Sequence, residues 1–226
     1  MKKNHPVLVL SLMFALTLRL SSPVFAGALE DHITKGGQFV KEKDYKKAIK
    51  EYETALSANP KSAKANLLLG LTWAALGDSD KAIRYSSAAV SIEPSYASYS
   101  NLGLVYAYKA DYEKAAENYE KALKISPKSY QGWYQLGKVY FTEGNFSKAI
   151  EAYTHAVKEN SQFSDAYQGL GSAYYWSGDT ESALKQVSEL KRLKLNDKAE
   201  QLQNWISDKE DKKKQSSAPA PATPKI

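Results

Sequence analysis

The sequence predicts an all-α chain of tandem helical hairpins, and three observations carry the prediction. Large and small apolar residues recur at i, i+3, i+4 and i+7, as in Trp133, Leu136, Gly137 and Tyr140, which places them on one helix face. The set returns along the chain at intervals of 34, 33, 34 and 34 residues. In step with it, Asp44, Asp78, Asp111, Asn145 and Asp179 stand just ahead of each second helix, where a short oxygen-bearing side chain accepts from free backbone N–H groups.

The elements follow in chain order. Met1 to Ala26 has a basic start at Lys2 and Lys3, an apolar run from Val7 to Leu18 closed by Arg19, and small residues at Val24 and Ala26. This is the layout of a secretory signal peptide, with cleavage expected after Ala26. The run falls short of the roughly 20 residues of a spanning helix. The expected location is therefore exported, periplasmic or secreted, with an uncleaved membrane anchor as the alternative; the Met-Lys-Lys start is of bacterial type.

Residues 27–210 form the array. Repeat one, residues 29–62, has Gly36, Phe39, Ala48, Tyr52 and Ala55 but places His32 and Lys35 where large apolar residues are usual. A first repeat faces solvent on one side and tolerates this. Repeat two, residues 63–95, carries Leu69, Gly70, Trp73, Ala82 and Ala89, with Ser86 in place of the second-helix aromatic; looser internal packing is expected there. Repeat three, residues 96–129, restores the pattern with Tyr99, Leu102, Gly103, Tyr106, Ala115, Tyr119 and Ala122. Repeat four is 130–163 and repeat five 164–197, the latter with Tyr167, Leu170, Gly171, Tyr174 and Ala183. Ser62, Ser95 and Ser129 are cap candidates for first helices, each following a proline that ends the previous unit. A helix over about 197–210, with Leu202, Trp205 and Ile206 apolar, covers the last repeat. Residues 211–226, rich in Lys, Ser, Ala and Pro, have nothing to bury and are expected to be disordered. As a role for them the sequence leaves open a spacer, a tether or a binding segment.

The run Trp133-x-x-Leu136-Gly137-x-x-Tyr140, continued by Ala149, Tyr153 and Ala156, resembles the tetratricopeptide repeat (TPR) pattern. The resemblance extends over Leu29 to Glu210. It implies a right-handed superhelical solenoid of five helix-turn-helix repeats plus a C-terminal capping helix. It further implies that first helices line an inner groove, into which a recurring set of positions points. Carried onto this chain, that set includes Leu67 and Leu71 in repeat two, Leu104 and Tyr108 in repeat three, and Gln131, Tyr134, Lys138 and Phe141 in repeat four. Repeat five supplies Asp165, Gln168, Ser172, Tyr175 and Trp176. The expected groove is aromatic and nearly uncharged. Relatives that clamp a terminal carboxylate place Lys, Arg and Asn there, and here only Lys64, Lys138 and Asn101 come close.

Composition narrows the function classes. With no cysteine, disulfides, thiol catalysis, thiolate metal sites and a lipoprotein anchor are excluded. The net charge of +6 sits at the two ends, leaving 24 basic and 24 acidic residues from Gly27 to Glu210; a neutral body argues against nucleic acid as a partner. His32 and His155 stand apart from acids at metal-binding spacing, and the Leu-Gly pairs are packing positions, so no catalytic group, metal or cofactor is expected. Asn145-Phe146-Ser147 matches a glycosylation acceptor, but Asn145 is better read as a helix cap. These residues favour a non-catalytic scaffold of the cell envelope that binds a protein partner, either a peptide or a helix segment. Glycan or cell-wall polymer binding is the first alternative, and self-assembly as a homo-oligomer the second.

Overall fold

The protein is described by a computed structural model that covers the backbone of residues 23–217 and the side chains of residues 27–210. Met1 to Ser22, the bulk of the expected signal segment, lie outside the described residues, as do residues 218–226 of the tail. Among the described residues every regular element is helical. The helices group into two compact units, one ending at Ile125 and the other beginning at Ser126. The first unit holds α1 (Pro23–Lys41), α2 (Tyr45–Ala58), α3 (Ala63–Ala75), α4 (Ser79–Ile92), α5 (Tyr96–Tyr108) and α6 (Tyr112–Ile125). The second holds α7 (Tyr130–Glu143), α8 (Phe146–Glu159), α9 (Ser164–Trp176), α10 (Thr180–Arg192) and α11 (Asn196–Ser217). The five expected hairpins are α1/α2, α3/α4, α5/α6, α7/α8 and α9/α10.

Every expected cap makes its bond. Oxygens of Asp44, Asp78, Asp111, Asn145 and Asp179 accept the backbone N–H three residues on at 3.1, 3.1, 3.3, 3.2 and 2.9 Å. Ser62, Ser95 and Ser129 do the same for α3, α5 and α7. Each cap satisfies a donor that the first helical turn leaves free.

Inside a hairpin the repeating glycine sets how closely two helices approach. A Cβ on Gly137 would lie 2.6 Å from the Tyr153 ring, and one on Gly103 would lie 3.1 Å from that of Tyr119. The buried tyrosine of the second helix thus occupies the space where the first helix lacks a side chain. In the α3/α4 hairpin Ser86 takes this place, and the looser packing expected there is not found. Ser86 is fully buried, and its hydroxyl donates to Oδ1 of Asn101 at 2.7 Å while the Asn101 amide donates to the Leu67 carbonyl at 3.5 Å. A hydrogen-bonded pair from two repeats replaces one aromatic ring.

In the last repeat the tyrosine's place is filled from beyond the hairpin: Leu202 of α11 packs against Gly171. With Ala199 and Ile206 it joins Tyr167, Val187 and Leu190 in one buried cluster, so α11 covers the apolar end of the repeat. The helix continues to Ser217, which corrects the expected boundary of the disordered tail at residue 211. Asp211 to Gln215 are mainly Lys and Gln, good helix formers, and the first helix breaker is Pro219. At the other end α1 begins at Pro23, so the expected cleavage point after Ala26 falls inside a helix. None of the helices among the described residues is long and apolar enough to cross a membrane.

Candidate interaction surface

In the second unit the repeat packing creates a hollow. Tyr153 of α8 is gripped between two glycines, Gly137 of α7 and Gly169 of α9; a Cβ on Gly169 would meet the tyrosine ring at 2.7 Å. With no side chain at residue 169, the ring forms part of a floor. Tyr134 stands beside it, 5.8 Å from the Tyr153 ring and edge-on to Phe163 at 5.0 Å. The result is a hollow of about 300 Å³ lined by Tyr134, Phe141, Tyr153, Asp165, Gln168, Gly169 and Ser172. Rings from α7 and α8 make one wall and polar groups from α9 the other.

The polar wall carries charge, where the sequence leads to a nearly uncharged surface. Lys198 of α11 lies 3.5 Å from the Asp165 carboxylate and 3.5 Å from Oε1 of Gln168, and Gln201 accepts from Gln168 at 3.4 Å. Burial, and then the Asp165 charge, hold the Tyr134 hydroxyl above its ordinary pKa. It stays protonated and available as a donor. Lys138 spans the outer face of Tyr134, with Nζ 5.7 Å from the ring centre.

A row of rings runs from the same region. Phe141 meets Phe146 at 5.6 Å, Phe146 lies parallel to Trp176 at 6.3 Å, and Trp176 meets Trp205 at 6.5 Å. Tyr175 packs edge-on against Trp205 at 5.3 Å. The Lys209 ammonium stands 5.5 Å from the Trp176 ring centre and 5.9 Å from that of Trp205. A wide, shallow depression of about 680 Å³ opens beside the row, lined by Glu143, Asn145, Phe146, Ser147, Trp176 and Ser177.

Of the positions named from sequence, Tyr134, Phe141, Asp165, Gln168 and Ser172 come together on the hollow, while Tyr175 and Trp176 belong to the ring row. Tyr134 and Tyr175 also pack between elements, so they do structural work as well. Gln131 and Lys138 are exposed. In the first unit Leu67, Leu71 and Leu104 are half-buried, and Tyr108 is exposed. Two residues of the would-be carboxylate clamp are otherwise engaged: Lys64 pairs with Glu30 at 2.7 Å and Asn101 is bound to Ser86.

Sequence reasoning missed Gly169, Phe146 and Trp205 as parts of this surface. Gly169 had a signal, since it stands outside the repeating Leu-Gly register. His32, expected to be isolated from acids, lies 2.7 Å from Glu51 across the α1/α2 hairpin, and His155 stacks on Trp133 at 4.3 Å. Among the described residues no cluster of three or more His, Cys, Asp or Glu is placed to hold a metal.

The hairpin period, the glycine-aromatic packing and the capping helix define a helical-repeat protein with an aromatic-lined hollow. Sequence profiles described as tetratricopeptide repeats match residues 38–97 and 140–206, and one described as TPR repeat matches residues 103–144. The chain belongs to the tetratricopeptide repeat family. It is 30% identical over 100 residues to Hsp70-Hsp90 organizing protein 3 of Arabidopsis thaliana, covering 44% of this chain and 18% of that one. It is 33% identical over 97 residues to small glutamine-rich tetratricopeptide repeat-containing protein 2 of Saccharomyces cerevisiae, covering 42% of this chain and 28% of that one. The match thus spans less than a third of either relative. Among solved structures, a crystal structure of MamA is similar with TM-score 0.62 and 26% identity over 76% of this chain and 96% of its own. YrrB, described as a TPR protein with an unusual peptide-binding site, shares the fold with TM-score 0.62 at 16% identity, over 80% of this chain and 97% of its own.

Proposed function

We propose that this chain is a non-catalytic scaffold of the cell envelope whose second unit holds an extended segment of a partner protein in the hollow between α7, α8 and α9. The observation that carries this reading is the two-sided lining, with rings of Tyr134, Phe141 and Tyr153 facing Asp165, Gln168 and Ser172. Aromatic walls supply large contact area at low entropic cost, and flanking polar groups fix the backbone of a bound segment. Relatives named Hsp70-Hsp90 organizing protein, and a fold relative described as having an unusual peptide-binding site, support a polypeptide ligand. Residues 1 to 26 support export, as read from their charge and hydropathy pattern.

The test is selection of peptides from a display library on the full chain, followed by calorimetry on the native protein and on Ser172→Arg, which fills the hollow from the half-buried Ser172 position on its α9 wall. Selected peptides should lose about tenfold or more in affinity, the effect typical of a residue at the centre of an interface, while circular dichroism stays unchanged. Equal binding to native and variant protein would remove the hollow from the mechanism.

A further inference from the structure

We propose that Lys198 of the capping helix sets the charge selectivity of the hollow: it closes the Asp165 carboxylate into a pair, so the hollow takes an uncharged stretch of extended polypeptide and turns away one carrying lysine or arginine. This inference rests on the reading of the hollow as the binding site and names the class of segment it accepts.

Packing puts the lysine in place. α11 is anchored by Ala199, Leu202 and Ile206 in the buried cluster of the last repeat. It runs alongside α9 in the same direction, since Lys198 and Gln201 reach Asp165 and Gln168 while Trp205 reaches Tyr175 and Trp176. α11 thus stands beside α9 as the first helix of a further repeat would. The first unit has the same contact between two true first helices: Lys64 of α3 bonds Glu30 of α1, 34 residues earlier, at 2.7 Å. Gln168 and Gln201 are 33 residues apart, so α11 keeps nearly that spacing and Lys198 takes the role of Lys64. In each unit a carboxylate on a first helix is closed by a lysine from the next helix along.

The consequence for the hollow is electrostatic. Asp165 is the one charged residue of its lining. Lys198 Nζ lies 3.5 Å from the Asp165 carboxylate and 3.5 Å from Oε1 of Gln168, and Lys138 adds a second ammonium on the outer face of Tyr134. A cationic side chain brought to Asp165 meets both ammonium groups and must part Lys198 from its partner, an unfavourable juxtaposition that discriminates against it. An uncharged segment meets no such cost. The Tyr134 hydroxyl donates to a backbone carbonyl, the Gln168 amide and the Ser172 hydroxyl supply donors and acceptors, and the rings of Tyr134, Phe141 and Tyr153 take an apolar side chain.

The test selects a random displayed peptide library on the full chain in four forms: native, Lys198→Met, Asp165→Asn/Lys198→Met and Ser172→Arg. Methionine keeps the length and helix propensity of lysine without its charge, and the Lys198 side chain is 40% exposed, so circular dichroism should not change. The native chain should enrich peptides with fewer Lys and Arg than the unselected library. Lys198→Met should enrich peptides with more, and these should bind it about two- to fivefold more tightly than they bind the native chain, the worth of one exposed ion pair. That difference should shrink as salt is raised. The double variant should lose the basic preference. Equal Lys and Arg content in the native and Lys198→Met pools overturns the proposal, as does a basic preference in the native chain or one that survives Asp165→Asn. If Ser172→Arg abolishes capture while the charge content stays fixed, the role of Lys198 falls alone. If Ser172→Arg captures the same peptides as the native chain, or the native chain captures none, the hollow falls and this inference with it.

Discussion

At the scale of single residues, the chain keeps one packing rule and breaks it instructively. Glycine under tyrosine is the rule; Leu202 replaces the ring at Gly171, and Ser86 against Gly70 is the polar exception. The sequence showed the exception but not its compensation, because Asn101 belongs to the next repeat and no periodic pattern connects the two. The pair predicts a specific cost. In Ser86→Ala the buried Asn101 loses its donor, and an unsatisfied buried polar group costs about 1–3 kcal/mol. The double variant Ser86→Ala/Asn101→Leu removes both partners and should recover part of that loss. Chemical denaturation of the three proteins measures this; a Ser86→Ala chain as stable as native would mean that the 2.7 Å bond contributes nothing.

At the scale of elements, the turns between paired helices use left-handed backbone. Gly144 stands at φ 83° after α7, and Ala110 occupies the equivalent place after α5 at φ 60°. A non-glycine residue pays roughly 1–2 kcal/mol there, while glycine loses about 0.5–1 kcal/mol in unfolded-state entropy. The strain is the larger number, so Ala110→Gly should raise the stability by about 0.5 kcal/mol. Gly144→Ala should lower it, and thermal unfolding of the two variants tests both signs. Helix identity, caps and period were legible in the sequence because each rests on local chemistry that recurs at a fixed interval. The surface was legible only in part. Tyr134, Phe141, Gln168 and Trp176 share a repeat-derived register, but Phe146 and Trp205, which meet Trp176 in the ring row, come from two other helices at positions the repeat does not equate. Their meeting depends on how α11 lies along α9. The extension of α11 to Ser217 was hidden for another reason: a charged run with no apolar face reads as tail even where helix propensity is high.

At the scale of the whole molecule, the neutral charge balance of residues 27–210 goes with a stability that depends on pH only outside the neutral range. The capping carboxylates of Asp44 and Asp111 lie below their ordinary value of 3.8 chiefly through the side-chain bonds from Lys47 and Lys114; for Asp78 and Asp179 the capped backbone N–H comes first. A carboxylate held lower in the folded than in the unfolded chain stabilises the fold above the ordinary value, and loses that contribution as pH falls through the folded one. Buried tyrosines act at the other end. Burial is the first cause raising the hydroxyls of Tyr119 and Tyr153 above their ordinary value of 10.0. Their contribution is complete below that value and drains away as pH rises beyond it. Both limbs predict a melting temperature that is flat from about pH 5 to about pH 9 and falls on either side. Replacing the four capping aspartates by asparagine, which caps nearly as well, should leave the plateau in place and flatten the acid limb. Tyr153→Phe should soften the alkaline one. Thermal melts followed by circular dichroism across the pH range measure all three proteins.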